Sequence, residues 1–378
     1  MNGLITAQFV ERPNRFLVRC RRANGQTIEA LLPNPGRLWE LLLPGAVLYL
    51  KKVPDSVIMG GSRKTRFTAV AVEREGQPVF LDTQATNRVA AHLIEQGNIP
   101  FLEGAEIVKP EIRVGRSRFD FLLKQGGKHL YLEIKSCTLF GNGVAMFPDA
   151  ITARGKKHLL ELAEMAQKRN RAAVMFLVHA PHLKWFMPDY HTDFEFSRTL
   201  LAIRRYVRII PVSVGWNTDL SLSGRVEHLN IPWRFLEKEV QDRGIYILML
   251  HLKKEARFSA GKLAESDFPA GYYIYTGSAM NGLSARLARH CRKRKRLHWH
   301  IDYLIQRAER TIPVPIRSSK PLECVLARSL SAIFSQGPPR FGASDCRCPT
   351  HLFYSPENPL HQRGFHDVLQ RFRMRAPD

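Results

Sequence analysis

The sequence predicts a multidomain α/β protein that opens with a small β-barrel. Three observations carry this expectation. Residues 1–82 read as short strands between turn signals, residues 83–236 alternate strand and helix patterns, and composition breaks near 237–243 before a new apolar strand begins. In the first segment the strands are Phe16-Val18, Thr27-Leu32, Val47-Val53, Phe67-Val72 and Val79-Leu81. They are separated by Pro33-Asn34-Pro35-Gly36, Pro44-Gly45 and Gly60-Gly61. Five short strands in about 80 residues suit an OB-like barrel, the commonest nucleic-acid module of that size. In the second segment Asn87 is expected to cap a helix through Ile94, and Thr152 one through Gln167. Phe119-Leu123, Leu130-Ser136, Ala172-His179 and Val207-Val212 read as strands. Past the charged bridge Glu237 to Arg243, Ile245 to Leu252 opens a third domain, 243–378.

Composition narrows the function. The chain has 378 residues with 57 Lys and Arg against 34 Asp and Glu, a net charge of +23. A pI near 10.1 points to a polyanionic partner, nucleic acid foremost. Residues 243–378 hold 23 basic and 10 acidic side chains, so the shorter C-terminal part is the more basic. No apolar run reaches the ~18 residues of a membrane span. Glu11, Arg12 and Arg15 interrupt the N-terminal stretch where an export signal would be apolar. Six cysteines are too few for a disulfide framework in a chain of this size, and a cytoplasmic location is expected.

The sharpest local inference lies between Arg118 and Ser136. Gly126-Gly127 suits a two-residue hairpin turn whose central residues need φ > 0. That turn sets Gln125 opposite Lys128, Leu123 opposite Leu130, Phe121 opposite Leu132 and Phe119 opposite Ile134, one continuous apolar face. On the other face Asp120 falls opposite Glu133, and Arg118 opposite Lys135. Like charges directly opposed are destabilising, so two carboxylates there favour a divalent cation with oxygen ligands, Mg²⁺ or Mn²⁺. Lys135 shares that face and can orient a water or steady a charged transition state. An exposed polar face on which Lys135 screens two acids accounts for the same residues.

At this point the residues resemble known families. Asp120…Glu133-Ile134-Lys135 is similar to the PD-(D/E)xK nuclease core. Arg12-Pro13-Asn14-Arg15-Phe16, Pro33-Asn34-Pro35-Gly36-Arg37-Leu38, Ser117-Arg118-Phe119-Asp120-Phe121 and Phe147-Pro148-Asp149-Ala150 with Arg154, Gly155 and His158 resemble the sugar fermentation stimulation protein A (SfsA) family over about 1–235. The resemblance implies an OB-like domain, a nuclease-like α/β domain and DNA binding. Arg12, Arg15 and Arg37 sit beside turn-forming residues, where guanidinium groups can reach phosphates. Locking of the turns by side chains suits Asn14 and Asn34. Arg154 and His158, one helical turn apart, can reach the cleft of Glu133, although His158 is equally suited to helix packing.

In the third domain Gly244-Ile245-Tyr246, Tyr275-Thr276-Gly277, Arg286, His290 and Glu323 follow in an order that resembles the GIY-YIG nuclease superfamily. The resemblance implies that Tyr246 accepts a proton or orients water, Arg286 clamps phosphate and Glu323 holds a divalent metal, with Tyr275 and His290 supporting. The tyrosine motifs stand further apart than is typical, and Thr276 replaces the usual Ile. The run Arg292, Lys293, Arg294 and Lys295 can neutralise phosphates or form a solvated basic loop. Trp299 suits a base platform or the core. Cys324, Cys346, Cys348 and His351 offer a Cys₃His zinc set, at a spacing that is not a standard finger; reduced structural thiols are the alternative. The expected function is DNA binding with metal-dependent phosphodiester hydrolysis. The rival is a non-catalytic binding module on degenerate nuclease folds. RNA suits the same charge and stacking surface as DNA.

Overall fold

The computed structural model describes residues 3–59, 63–115, 117–292 and 294–377; the Gly60-Gly61 turn signal and Lys293 lie outside the described residues. The chain forms two units. The first comprises Met1–Asp189, Glu195–Trp233 and Ala376–Asp378; the second comprises Tyr190–Phe194 and Arg234–Arg375.

The first unit opens with β1 (Leu4–Asn14), β2 (Leu17–Arg21), β3 (Thr27–Leu31), β4 (Val47–Lys52), β5 (Phe67–Arg74) and β6 (Gln77–Phe80). β1 pairs with both β2 and β4, and β3 pairs in parallel with β5 through Ala30–Phe67 and Leu31–Thr68. These pairings close β1 to β5 into an OB-like barrel, and β6 adds to the edge of β5. The sequence expectation counted five strands by including β6 and omitting β1. The alternation of buried Ala7 and Phe9 with exposed Thr6 and Gln8 was the available signal for β1. Inward residues such as Phe9, Val18, Leu48 and Leu50 fill the barrel. Each such side chain contributes about 1.5–3 kcal/mol on full burial.

The α/β part follows with α1 (Thr86–Glu95), β7 (Glu106–Val114), β8 (Ser117–Gln125), β9 (Lys128–Cys137), α2 (Ala153–Gln167), β10 (Arg171–Val178), β11 (Arg208–Trp216) and β12 (Leu222–His228). They form a six-stranded sheet in the order β12-β11-β10-β9-β8-β7. β9, β10 and β11 are parallel, and the flanking pairs are antiparallel. β10 is a continuous apolar run because both of its faces are covered: Ala173, Met175 and Leu177 face one core, and Val174, Phe176 and Val178 the other. Thr152 caps α2, its hydroxyl accepting from Gly155 N at 3.0 Å. Asn87 is not a cap. It lies in the first turn of α1, behind Ala85 at the N-cap, and its side chain points elsewhere.

The β8–β9 hairpin has the expected register from Gln125–Lys128 to Phe121–Leu132, with φ of +55° and +74° at Gly126 and Gly127. Beyond Phe121 the expectation fails. Phe119 does not face Ile134; it packs in the core on the opposite face of the sheet. Nor is Asp120 paired opposite Glu133 in the ladder, or Arg118 opposite Lys135: Arg118 lies opposite Arg113 and bonds Glu111 at 3.3 Å. The reason is local. Glu111, placed beside Asp120 by the flanking pairs Pro110–Phe121 and Ile112–Phe119, has φ +53°. Here β8 changes face, Phe121 lying in one core and Phe119 in the other, whereas Leu130, Leu132 and Ile134 of β9 stay in the first. The carboxylate of Asp120 then takes the backbone N–H of Ile134 at 2.7 Å, in place of a ladder bond.

The second unit is built on β13 (Gly244–Leu252), β14 (Gly271–Ala279), α3 (Leu283–Cys291), β15 (Arg310–Arg317), α4 (Glu323–Ser331), β16 (Ser335–Gln336) and β17 (Leu352–Ser355). Its sheet has the order β15-β13-β14-β17-β16. Tyr246, Leu248 and Leu250 of β13 face a core shared with Tyr273, Tyr275, Leu283 and Leu287. Among the described residues, no helix is long and apolar enough to cross a membrane.

Candidate functional site

In the first unit a cleft of about 630 Å³ is lined by barrel residues Arg15, Asn34 and Pro35 and by Asn87, Asp120, Glu133, Lys135 and Arg154 of the α/β part. The hairpin presents the two acids, and the start of α1 and the first turns of α2 supply their partners. Asp120 Oδ1 accepts from Asn87 Nδ2 at 2.7 Å, while Oδ2 holds Ile134 N. Glu133 is buried, at 3% exposure. Its Oε1 meets Lys135 Nζ at 2.5 Å and His158 Nδ1 at 2.6 Å. Arg154 Nε lies 3.4 Å from His158 Nε2, and His158 Nδ1 is directed at Glu133. His158, open between two roles in the sequence, is the partner of Glu133 as well as packing on Phe119.

The electrostatics separate the two acids. Burial and the neighbouring charge of Glu133 raise the Asp120 carboxyl above its ordinary value. Burial alone would raise Glu133 too, but the His158 bond and the Lys135 charge outweigh it and hold Glu133 low. Glu133 Oε2 is buried and has no hydrogen-bond partner among the described residues. An orphaned carboxylate oxygen beside a second carboxylate fits a hard divalent cation.

Not every predicted arginine faces this cleft. Arg12 donates to the carbonyls of Gly36 (2.8 Å), Arg37 (2.8 Å), Arg15 (2.7 Å) and Asn34 (3.1 Å). Its guanidinium locks the Pro33–Leu38 turn, a correction to the expected phosphate contact. Directing these donors at carbonyls satisfies groups that would otherwise be orphaned. Asn14 and Asn34 lock turns as expected, accepting from Phe16 N and Gly36 N at 2.9 Å each. Asp149 Oδ2 accepts from Leu38 N at 2.6 Å, tying this barrel loop to the α/β part. Arg37 lies over the Trp39 ring at 4.8 Å. Arg15 and Arg154 are exposed on the cleft wall.

In the second unit the tyrosine motifs meet across one ladder. Tyr246 pairs with Gly277, and a methyl group on Gly277 would lie 2.4 Å from the Tyr246 ring, so only glycine admits the phenol. Tyr246 Oη lies in hydrogen-bond contact with His290 Nε2 at 2.9 Å. His290 Nδ1 lies 3.5 Å from Asp302 Oδ1. Burial raises the Tyr246 phenol to about 12 and drives Tyr275 well above the ordinary range. Burial also lowers His290, despite Asp302. Arg286 lies over the Trp299 ring at 4.3 Å and donates to Ser278 O at 3.2 Å. Trp299 is thus stacked and half-buried, with Arg289 at 4.1 Å as well. Glu323 Oε1 contacts His351 Nδ1 at 2.9 Å.

Asp302 is the residue that the sequence reading left without a role. It is fully buried, accepts from Arg289 (3.1 and 2.9 Å) and from the backbone of His298 and Trp299, and sits 3.4 Å from Lys295 Nζ. Burial opposes its charge, but His290, Arg289 and the backbone N–H groups of His298 and Trp299 together hold its carboxyl far below the usual range. The Lys295 side chain, 5% exposed, is therefore a counter-charge and not a phosphate contact, which corrects the expectation for that residue. Arg292 and Arg294 are exposed.

Three family models match the chain: the SfsA N-terminal OB domain over residues 10–81, the sugar fermentation stimulation protein RE domain over 84–219, and a domain of unknown function, DUF123, over 245–374. A sugar fermentation stimulation protein homolog from Moorella thermoacetica is 41% identical over 200 residues, covering 52% of this chain and 84% of the relative. One from Methanosphaera stadtmanae is 38% identical over 222 residues, covering 58% and 90%. Among solved structures, that of Pyrococcus furiosus SfsA in complex with Ca²⁺ superposes with a TM-score of 0.53 at 29% identity. It covers 61% of this chain and 96% of that one.

Proposed function

Since the chain belongs to the sugar fermentation stimulation protein family, we propose that it binds DNA and hydrolyses phosphodiesters at the Asp120–Glu133–Lys135 cleft, with Mg²⁺ or Mn²⁺. The observation that carries this reading is the unpartnered, buried Glu133 Oε2 beside Asp120, with Lys135 and His158 both committed to the other oxygen. A relative solved with Ca²⁺ supports a site for a hard cation. A cation held by Asp120 and Glu133 supplies activation of water and neutralisation of phosphoryl charge. The chain's own groups do the rest. Asn87 and the Ile134 N–H hold Asp120 in place. His158, itself held by Arg154, fixes Glu133. Lys135 is placed to meet a phosphoryl oxygen or the attacking water, and Arg15 and Arg154 stand where the adjoining phosphates pass.

The test is incubation of the purified chain with labelled single-stranded, duplex and branched DNA and with RNA, in Mg²⁺, Mn²⁺ or EDTA. Cleavage that needs the cation is expected. Tight binding without cleavage under every condition would leave a binding module.

For the second unit, binding without cutting has a specific observation in its favour. The Tyr246 phenol is raised to about 12 and bonded to His290, and Glu323 Oε1 is engaged by His351. On this reading Tyr246, Tyr275, Arg286, His290 and Glu323 form a degenerate catalytic frame, and the exposed Arg292 and Arg294 contact phosphates. DNA affinity is then expected to fall steeply with salt. Replacing Arg292 and Arg294 by Ala should flatten the log–log slope by about 0.9 for each phosphate no longer neutralised. A slope that does not change assigns the DNA surface elsewhere.

A further inference from the structure

We propose that Cys324, Cys346, Cys348 and His351 bind a structural Zn²⁺, and that Glu323 is the outer-shell carboxylate of this centre. The four donor atoms all lie within 4.8 Å of one another. Cys346 Sγ is 3.5 Å from His351 Nε2. Zinc bonds of about 2.3 Å to sulfur and 2.0–2.1 Å to nitrogen, at tetrahedral angles, place those two atoms about 3.6 Å apart. The distance therefore already matches that edge of the metal site.

The imidazole is oriented for the task. Its Nδ1 faces Glu323 Oε1 at 2.9 Å, so a proton there donates to the carboxylate and leaves the Nε2 lone pair toward the sulfurs. A carboxylate behind a histidine ligand fixes both the tautomer and the ring angle. The backbone is fixed as well. His351 N donates to Phe341 O at 2.8 Å, and His351 O accepts from Thr276 N of β14 at 2.9 Å. Arg340 donates to Cys346 O at 2.7 Å and to Ser344 O at 3.1 Å. Cys324 comes from the first turn of α4, whereas the other three donors come from the irregular stretch between β16 and β17. A metal joining them closes a segment that has no regular secondary structure to hold it.

The donor set selects the ion. Three thiolates and one imidazole are soft and borderline ligands that favour zinc over Mg²⁺ or Ca²⁺, and four protein ligands leave no position for water. Three thiolates on Zn²⁺ carry one net negative charge, and Arg328 and Arg347 line the adjoining hollow with Cys324 and Cys348. The ion acts as a structural clasp. It adjoins the tyrosine motifs through Phe341, which packs edge-on against Tyr275 at 6.3 Å. None of this depends on the chain cutting DNA.

The test is metal analysis of the full chain purified under reducing conditions, followed by replacement with Co²⁺. One zinc per chain is expected, and the cobalt form should show thiolate charge-transfer and tetrahedral d–d absorption. Cys346→Ser and Cys348→Ser should lose that spectrum. His351→Cys should keep the metal with a shifted charge-transfer band, so the result does not rest on variants that fold poorly. Asp120→Asn should leave the spectrum unchanged. Glu323→Gln should weaken metal affinity about 10–100-fold. Wild-type protein without zinc that stays colourless with Co²⁺, or that holds these thiols as a disulfide, overturns the metal site. Full affinity in Glu323→Gln overturns the outer-shell role.

Discussion

Glu133→Gln is expected to reduce cation-dependent cleavage by at least about 10³-fold while DNA binding survives. Gln keeps the shape of the side chain and one carbonyl oxygen, but it removes the charge that the cleft supplies to a cation. Glu133 is the better ionised of the two acids, held low by His158 and Lys135, whereas burial and Glu133 itself push Asp120 up. Losing Glu133 removes the stronger anchor. A metal ion's stabilisation of transition-state charge is worth several kcal/mol, and each 1.36 kcal/mol is about tenfold in rate. Lys135→Ala should also lower the rate, and it leaves both carboxylates in place. Single-turnover cleavage at saturating Mn²⁺ measures the chemical step, and binding measured in EDTA separates it from affinity. A Glu133→Gln protein that cuts at the wild-type rate would remove this cleft from the reaction.

Asp302→Asn is expected to destabilise the second unit by about 3–5 kcal/mol, the cost of removing one partner from a buried charge cluster. Asp302 is fully buried against Arg289 and Lys295 and accepts two backbone N–H groups. Asn can replace some of those acceptor contacts but none of the charge, so two cations are left without a counter-ion. The effect carries a pH signature. The folded-state carboxyl lies far below its unfolded value of about 3.9, so its stabilisation is complete above that value. It is lost progressively as pH falls through the folded-state value. Urea unfolding should therefore show a large gap between wild type and variant at pH 7 that narrows steadily below about pH 4. A gap of the same size at every pH would mean that the carboxylate acts by packing alone.

The contrast between Arg12 and Arg15 shows where sequence reading reaches its limit. Both flank the same turn and both carry a full charge, yet Arg12 directs its donors at four carbonyls while Arg15 stands exposed on the cleft wall. Lys295 differs from Arg292 and Arg294 for the same kind of reason: a buried acid seven residues further along the chain claims it. Residue type and neighbours in sequence do not distinguish these cases, because the deciding partner arrives from another element.

By itself the sequence determined what depends on local chemistry. The Gly126-Gly127 turn fixed the register of the hairpin from Gln125–Lys128 to Phe121–Leu132, and both acids line one cleft although they are not paired in the ladder. Thr152 marked the start of α2, and the ordered motifs identified the family, because turn geometry, capping and periodicity act over a few residues. Only the tertiary structure decided what surrounds the two acids. Asn87 reaches Asp120 from 33 positions away, and His158 reaches Glu133 from 25. The change of face at Asp120 falls beside Glu111 of a neighbouring strand, whose φ is positive. Hydrogen bonds and burial are settled by which elements pack together. The charge state and orientation of the site residues follow from that packing, and spacing along the chain does not encode them.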